Sequence, residues 1–285
     1  MKKALVIGGT GTVGSQVVKE LLKEGKQVRV LSTSASKVAE LPQGVEGVVG
    51  DLDDPASLPA AFEGVDKVFM LNVHCHTEIQ QAQNAVAAAK LAGIDKLVYQ
   101  SVHRAHEYKI IPHVATKMLI EEVIAESGLN YTFVCPNNFY QNDFLFKGAI
   151  LQFGVYPQPI GDLGLSRVDV RDIAEVAVKA LYSDELNGMY IPLAGPDVLN
   201  GTDTARILSE ELGFQVSYAG NDLVSWAEQT KQFIPAWIVD DWTIMYHQFQ
   251  EKGLAATSEE LELLTKVLGH TPRTYASFVK EHATL

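Results

Sequence analysis

The chain has 285 residues, of which 47% are hydrophobic and 20% charged, and its formal net charge is −12. That is the make-up of a soluble globule of one large or two modest domains. The negative charge argues against nucleic acid or an anionic membrane as a direct partner, and no apolar run approaches the ~20 residues of a membrane span.

The two cysteines, Cys75 and Cys135, make no disulfide framework and are expected to be reduced. Met1-Lys2-Lys3 leads at once into an apolar run, which leaves no room for a signal peptide and points to the cytoplasm.

In chain order, residues 4–7 read as a short strand and 12–24 as a helix whose apolar positions Val13, Val17, Val18, Leu21 and Leu22 follow the helical period. Gly25 suits its end. Strands are predicted at 28–31, 45–49, 67–71, 96–100 and 131–135, and helices at 55–62, 78–91 and 114–127. Such alternation with short connections predicts a doubly wound parallel sheet, by default in the order 3-2-1-4-5-6. After Pro136 the rhythm changes. Residues 137–142 are polar and aromatic, and 154–164 are rich in Gly and Pro. A helix at 170–181 and a strand at 189–193 follow. Then come helices at 203–212, 223–232, 238–250 and 258–268, interrupted by one short strand at 215–218. The expected division is a dinucleotide-binding domain over 1–140, completed by about 166–193, with a smaller, mainly helical lobe from 141–165 and 194–285.

The turn after the first strand explains why a dinucleotide is expected. Gly9, Gly11 and Gly14 give G-x-G-x-x-G, and Gly8, Gly11 and Gly14 give G-x-x-G-x-x-G. A glycine turn between a strand and a helix lets the backbone approach a pyrophosphate, and the new helix offers N–H groups and a positive dipole end. Gly8, Thr10, Gly11, Thr12, Val13 and Gly14 are therefore candidate cofactor residues of a Rossmann-type site.

The sequence resembles the NmrA-like branch of the atypical short-chain dehydrogenases/reductases nearly end to end. The resemblance rests on the turn Gly8-Gly9-Thr10-Gly11-Thr12-Val13-Gly14, on Gly50-Asp51-Leu52, and on His113-Val-Ala-Thr-Lys117. It rests also on Tyr131-Thr-Phe-Val-Cys-Pro136-Asn-Asn-Phe139, Val168-Asp-Val-Arg-Asp172-Ile-Ala, and the ending Thr271-Pro-Arg-Thr-Tyr-Ala-Ser-Phe278. It implies an NAD(P)H-dependent oxidoreductase passing hydride to a small conjugated acceptor such as a quinone. The alternative it implies is a regulatory protein that binds the dinucleotide and senses redox state without turnover. A sugar-nucleotide epimerase is disfavoured, because that chemistry needs a Tyr-x-x-x-Lys dyad.

Further cofactor contacts are expected from the resemblance at Asp51 and Leu52, where relatives hold adenine, and at Ser101, Pro136, Asn138 and Phe139. Leu71, Asn72 and Val73 end the fourth predicted strand, beside the crevice where the strand order reverses. Asp51 reads equally as a turn residue, and Asn72 as a loop residue satisfying backbone groups. At the end of the second strand NAD-selective sites place an acid. Here Ser32-Thr33-Ser34-Ala35-Ser36-Lys37 brings none before Glu40. Thr33, Ser34 and Lys37 are thus candidates to hold a 2′-phosphate, favouring NADP(H) over NAD(H). Many NADP-binding relatives carry Arg near position 33, and the serines would look the same in a helix-capping loop.

In place of the dyad stands His113-x-x-x-Lys117, an i, i+4 pair on one helix face. By resemblance Lys117 binds the nicotinamide ribose, and His113 can serve as proton donor. The competing reading pairs Lys117 with Glu121 on the surface. Quinone-type acceptors can be protonated by water, so the missing tyrosine suits a reductase better than an alcohol dehydrogenase. His74 and His103 are assigned to the substrate cleft, as are Tyr140 and Phe144 from an aromatic cluster with Phe139, Phe146 and Phe153. The histidines show no recognised metal spacing, and no metal is assigned. The oligomeric state stays open, a homodimer among the options.

Overall fold

A computed structural model describes residues 3–282. The strands are β1 (Lys3–Ile7), β2 (Gln27–Ser32), β3 (Val45–Val49), β4 (Val65–Met70), β5 (Lys96–Gln100), β6 (Tyr131–Pro136), β7 (Val155–Tyr156), β8 (Tyr190–Leu193) and β9 (Ser217–Tyr218). The helices are α1 (Thr12–Lys23), α2 (Ala35–Ala39), α3 (Pro59–Phe62), α4 (Glu78–Ala92), α5 (Pro112–Ala125) and α6 (Lys147–Phe153). They continue with α7 (Val170–Tyr182), α8 (Gly201–Leu212), α9 (Leu223–Thr230), α10 (Ala236–Lys252), α11 (Ser258–Leu268) and α12 (Tyr275–His282). Among the described residues no helix is long and apolar enough to cross a membrane.

Seven strands form one sheet in the order β3-β2-β1-β4-β5-β6-β8. This order contains the expected 3-2-1-4-5-6 and adds β8 at the edge. The pairs from β3 to β6 are parallel. Central strands of such a sheet are covered on both faces, so they read as unbroken apolar runs. Ala4, Leu5, Val6, Val68, Phe69 and Met70 are all fully buried. The chain leaves β1 towards β2 and later returns through β4 on the other side. This reversal opens a crevice at the carboxyl ends of β1 and β4, the place where such sheets hold ligands.

The chain clusters into two compact units. The first comprises Met1–His106, Ala115–Cys135 and Val170–Ile191, and the second Glu107–Val114, Pro136–Asp169 and Pro192–Leu285. In the first, α1 buries Val13, Val17, Val18 and Leu21 and packs against α7. The second is mainly helical, and three of its elements carry no sequence signal. These are helices α6 and α12 and strand β7, which pairs in parallel with β9, itself inside the strand expected at 215–218. A strand of two residues shows no period, and helices of seven or eight residues offer barely two turns to read.

Candidate active site

The glycine turn is built for two different closenesses. Gly8 has φ +83°, and a Cβ there would lie 2.7 Å from the Leu71 carbonyl oxygen. At Gly14 a Cβ would fall 2.1 Å from the Gly8 oxygen. Both positions need glycine for reasons internal to the protein. Gly11 is different. It sits at φ −91° as the N-cap of α1, is exposed, and a Cβ would meet nothing nearer than the Gly8 oxygen at 3.3 Å. No side chain caps α1. The first-turn N–H groups of a helix have no intrahelical partner, so this end faces outward as an anion cradle that a side chain at Gly11 would fill.

Next to this turn, at the end of β4, lies Asn72. It is 4% exposed, and both its amide nitrogen and oxygen lack a partner among the described residues. A buried amide left unsatisfied costs on the order of 1–3 kcal/mol. The loop reading, in which Asn72 satisfies nearby backbone groups, therefore does not describe it. A dinucleotide fits here, with a pyrophosphate at Gly11–Val13 and a polar ligand group for Asn72.

The other candidate contacts are engaged locally. Asp51 Oδ1 accepts from the Asp53 N–H at 2.9 Å, a turn bond, and the Leu52 carbonyl accepts from Asn84 Nδ2 at 2.7 Å. Ser34 caps α2, accepting from the Lys37 N–H at 3.3 Å, and its hydroxyl lies 2.8 Å from that of Ser36. Thr33 and Lys37 are exposed, as is Val73, whereas Leu71 is half-buried.

Helix α5 carries both His113 and Lys117, and each is bound to a carboxylate from far along the chain. Lys117, 8% exposed, donates to Glu78 Oε1 at 2.6 Å. Its ammonium lies 5.4 Å from the centre of the Tyr99 ring. Glu78 is fully buried in the first turn of α4, and His74 Nδ1 lies 3.6 Å from its other oxygen. Burial pushes the Glu78 carboxyl up, but the neighbouring His74 ring and the Lys117 ammonium outweigh it and hold the carboxyl below its ordinary value. The expected alternative partner of Lys117, Glu121, is instead taken by the Ser101 hydroxyl. Burial raises the Glu121 carboxyl, and Ser101 only opposes this.

In the second unit, His113 is fixed twice by Asp241 of α10. Its ring Nδ1 lies 2.5 Å from Oδ1 and its backbone N–H donates to Oδ2 at 3.1 Å. A carboxylate on one ring nitrogen fixes the orientation and the tautomer of the imidazole.

The residues after β6 are pinned by Arg167, which is wholly buried. Its Nε donates to Asn138 Oδ1 at 3.2 Å, and its terminal nitrogens reach the Phe139 carbonyl at 2.8 Å and Asp143 Oδ1 at 2.6 Å. Pro136, one residue before Asn137, is buried.

The aromatic cluster divides. Tyr140 is fully buried, stacks 5.2 Å from Tyr275, and donates to the Arg273 carbonyl at 3.1 Å. With its ring fully buried and its hydroxyl bonded, Tyr140 packs as core of the second unit. Phe144 is 42% exposed against Phe278 and His282, and Phe153 is 76% exposed, away from any shared core. His103 is buried. Sequence reasoning missed Glu78, Asp241, Asp143 and Arg167. Each acts over 24 to 128 residues of separation, which no local spacing signals.

The sheet, its switch point and the glycine cradle define a Rossmann-like α/β protein. The chain belongs to the NmrA-like family, whose model matches residues 1–273. An NAD(P)H azoreductase of Xenophilus azovorans is 36% identical over 286 residues, covering 98% of this chain and 97% of that one. An NADPH-dependent quinone oxidoreductase of Escherichia coli, solved with NADPH, matches at TM-score 0.87 and 25% identity, over 98% of this chain and 99% of that one. A triphenylmethane reductase of Citrobacter sp. matches at TM-score 0.87 and 25% identity over the full length of both chains.

Proposed function

We infer that the protein is an NAD(P)H-dependent reductase of small conjugated acceptors such as quinones and azo dyes. The observation that carries this reading is Lys117, a buried cation in the same chain as an open anion cradle, with ammonium donors left over after its bond to Glu78. The near full-length likeness to an azoreductase supports it.

When bound, the dinucleotide supplies the hydride. The chain's own residues bind and orient. The α1 N-terminus takes the pyrophosphate and Asn72 satisfies its amide on the ligand. Lys117 donates to the ribose at the reacting end. His113, held by Asp241, gives a proton to acceptors that need one. Acceptors whose reduced form is protonated by water depend on His113 less.

The preferred cofactor is NADPH. Thr33, Ser34, Ser36 and Lys37 offer hydroxyls and an ammonium, with no carboxylate before Glu40 to repel a 2′-phosphate. Contacts to a charged group contribute about 1.5–3 kcal/mol, so NADPH binds tenfold or more tighter than NADH, and Thr33→Asp reverses the order. Isothermal calorimetry with both nucleotides checks this, and equal affinities refute it.

Turnover is tested by following NADPH oxidation with a panel of quinones and azo dyes. The expected kcat lies in the usual enzyme range, ~1–10³ s⁻¹. Tight nucleotide binding without oxidation by any acceptor replaces this reading with the regulatory one.

A further inference from the structure

Glu78 has no assigned role, and stability does not account for it. It is a fully buried carboxylate whose oxygens face two cations or potential cations, Lys117 and His74. A buried ion pair is often no more stabilising than apolar residues of the same volume. Where such a pair serves packing alone, its donors are satisfied within the protein. Here Lys117 makes one hydrogen bond among the described residues and keeps two ammonium N–H groups for something else.

The geometry removes the freedom of the long lysine side chain. One N–H is fixed on Glu78 Oε1 at 2.6 Å, and the ammonium sits over the Tyr99 ring at 5.4 Å. With these two contacts set, the direction of the remaining donors is set as well. Glu78 itself is anchored by its place in the first turn of α4, where the helix dipole favours a carboxylate, and by His74. Burial raises the Tyr99 phenol far above its ordinary value, so the ring stays neutral and does not compete for the ammonium.

We propose that Glu78 is the positioning residue of the reductase site, pinning the Lys117 ammonium so that its remaining N–H donors are pre-aimed at the ribose of the bound dinucleotide. This rests on the assignment of Lys117 to that ribose. Glu78 touches neither cofactor nor acceptor in this scheme and acts only through Lys117. Positioning of this kind appears in kcat, because the pyrophosphate end still binds at the glycine turn.

The test compares Glu78→Gln, Glu78→Asp and Lys117→Met in the full-length protein, with NADPH and one quinone. Turnover is expressed per nucleotide-binding site, so a partly unfolded preparation still reports. Gln has the size of Glu and no charge, whereas Asp keeps the charge and leaves a gap. A packing role therefore makes Asp the more damaging change, and a charge-positioning role makes Gln the more damaging.

The expected result is a kcat at least tenfold down in Glu78→Gln, with KM for NADPH changed less than threefold, and a kcat in Glu78→Asp closer to wild type than that of Gln. Wild-type kcat in Glu78→Gln, or a lower kcat in Asp than in Gln, overturns the proposal. If Lys117→Met is inactive in that case, the assignment of Lys117 survives and only the role of Glu78 falls. If Lys117→Met turns over like wild type, the assignment of Lys117 falls and the proposal with it.

Discussion

Arg167 and Lys117 are both buried cations bonded to buried carboxylates, yet they are wired differently. Arg167 spends its whole guanidinium on the second unit. It reaches both oxygens of Asp143, the Tyr156 hydroxyl, Asn138 and two backbone carbonyls. Asp143 is satisfied in turn by Gln158 and Tyr275. Lys117 meets one carboxylate oxygen and stops. A closed network fixes a fold, whereas the Lys117 ammonium keeps donors that no described residue takes. The glycine turn repeats the contrast. Gly14 is required by the Gly8 carbonyl oxygen, 2.1 Å from where its Cβ would lie, whereas a Cβ at Gly11 would meet the same oxygen at 3.3 Å, a close contact that a small shift relieves.

The largest effect is expected at the closed network. Arg167→Met leaves Asp143 buried without its cation, a change that costs about 3–5 kcal/mol. Urea unfolding should show it, and Arg167→Lys should recover little, since an ammonium cannot reproduce the planar fork. A loss under about 1 kcal/mol would break the comparison, because it would mean that saturation contributes nothing here.

The glycine pair sharpens it. Gly11→Val should melt within a few degrees of wild type and lose at least 100-fold in NADPH affinity, about 2.7 kcal/mol. Gly14→Ala should lose stability, as its Cβ would lie 2.1 Å from a carbonyl oxygen. Wild-type nucleotide affinity in Gly11→Val would remove the dinucleotide from the cradle.

A third buried cation gives the smallest effect. Lys96 is 2% exposed and donates to two neutral oxygens, the Ser183 carbonyl and Asn187 Oδ1. Burial pushes its ammonium down to about 8, from an ordinary value of 10.5. Between those values the unfolded chain holds more protons than the folded one, so the stability contributed at Lys96 rises with pH. Its unfavourable charging is fully present below pH 8 and fades towards 10.5. The unfolding free energy of wild type relative to Lys96→Met should therefore increase by on the order of 1–2 kcal/mol from pH 7 to 9.5. A flat difference across that range would show that neutral partners suffice for a buried lysine.

Much of the first unit is legible in the sequence because its signals are local. The apolar run of β1, the glycine spacing and the heptad-like face of α1 are read from neighbours in the chain, and they place the strand order and the anion cradle. Lys117 was legible as a candidate for the same reason, being four residues after His113 in a helix. What holds Lys117 was not. The i, i+4 rule offered Glu121, but tertiary packing gives Glu121 to Ser101 and brings Glu78 from 39 residues away. Asp241 reaches His113 across 128 residues, and Tyr140 turns into the core because Tyr275 and Phe278 arrive from the far end of the chain. Backbone patterns repeat over a few residues, so the sequence by itself determines the main elements of the first unit, the order of its parallel strands and the glycine turn. Which charge meets which is settled only when distant segments exclude water around them, and that the tertiary structure alone decides.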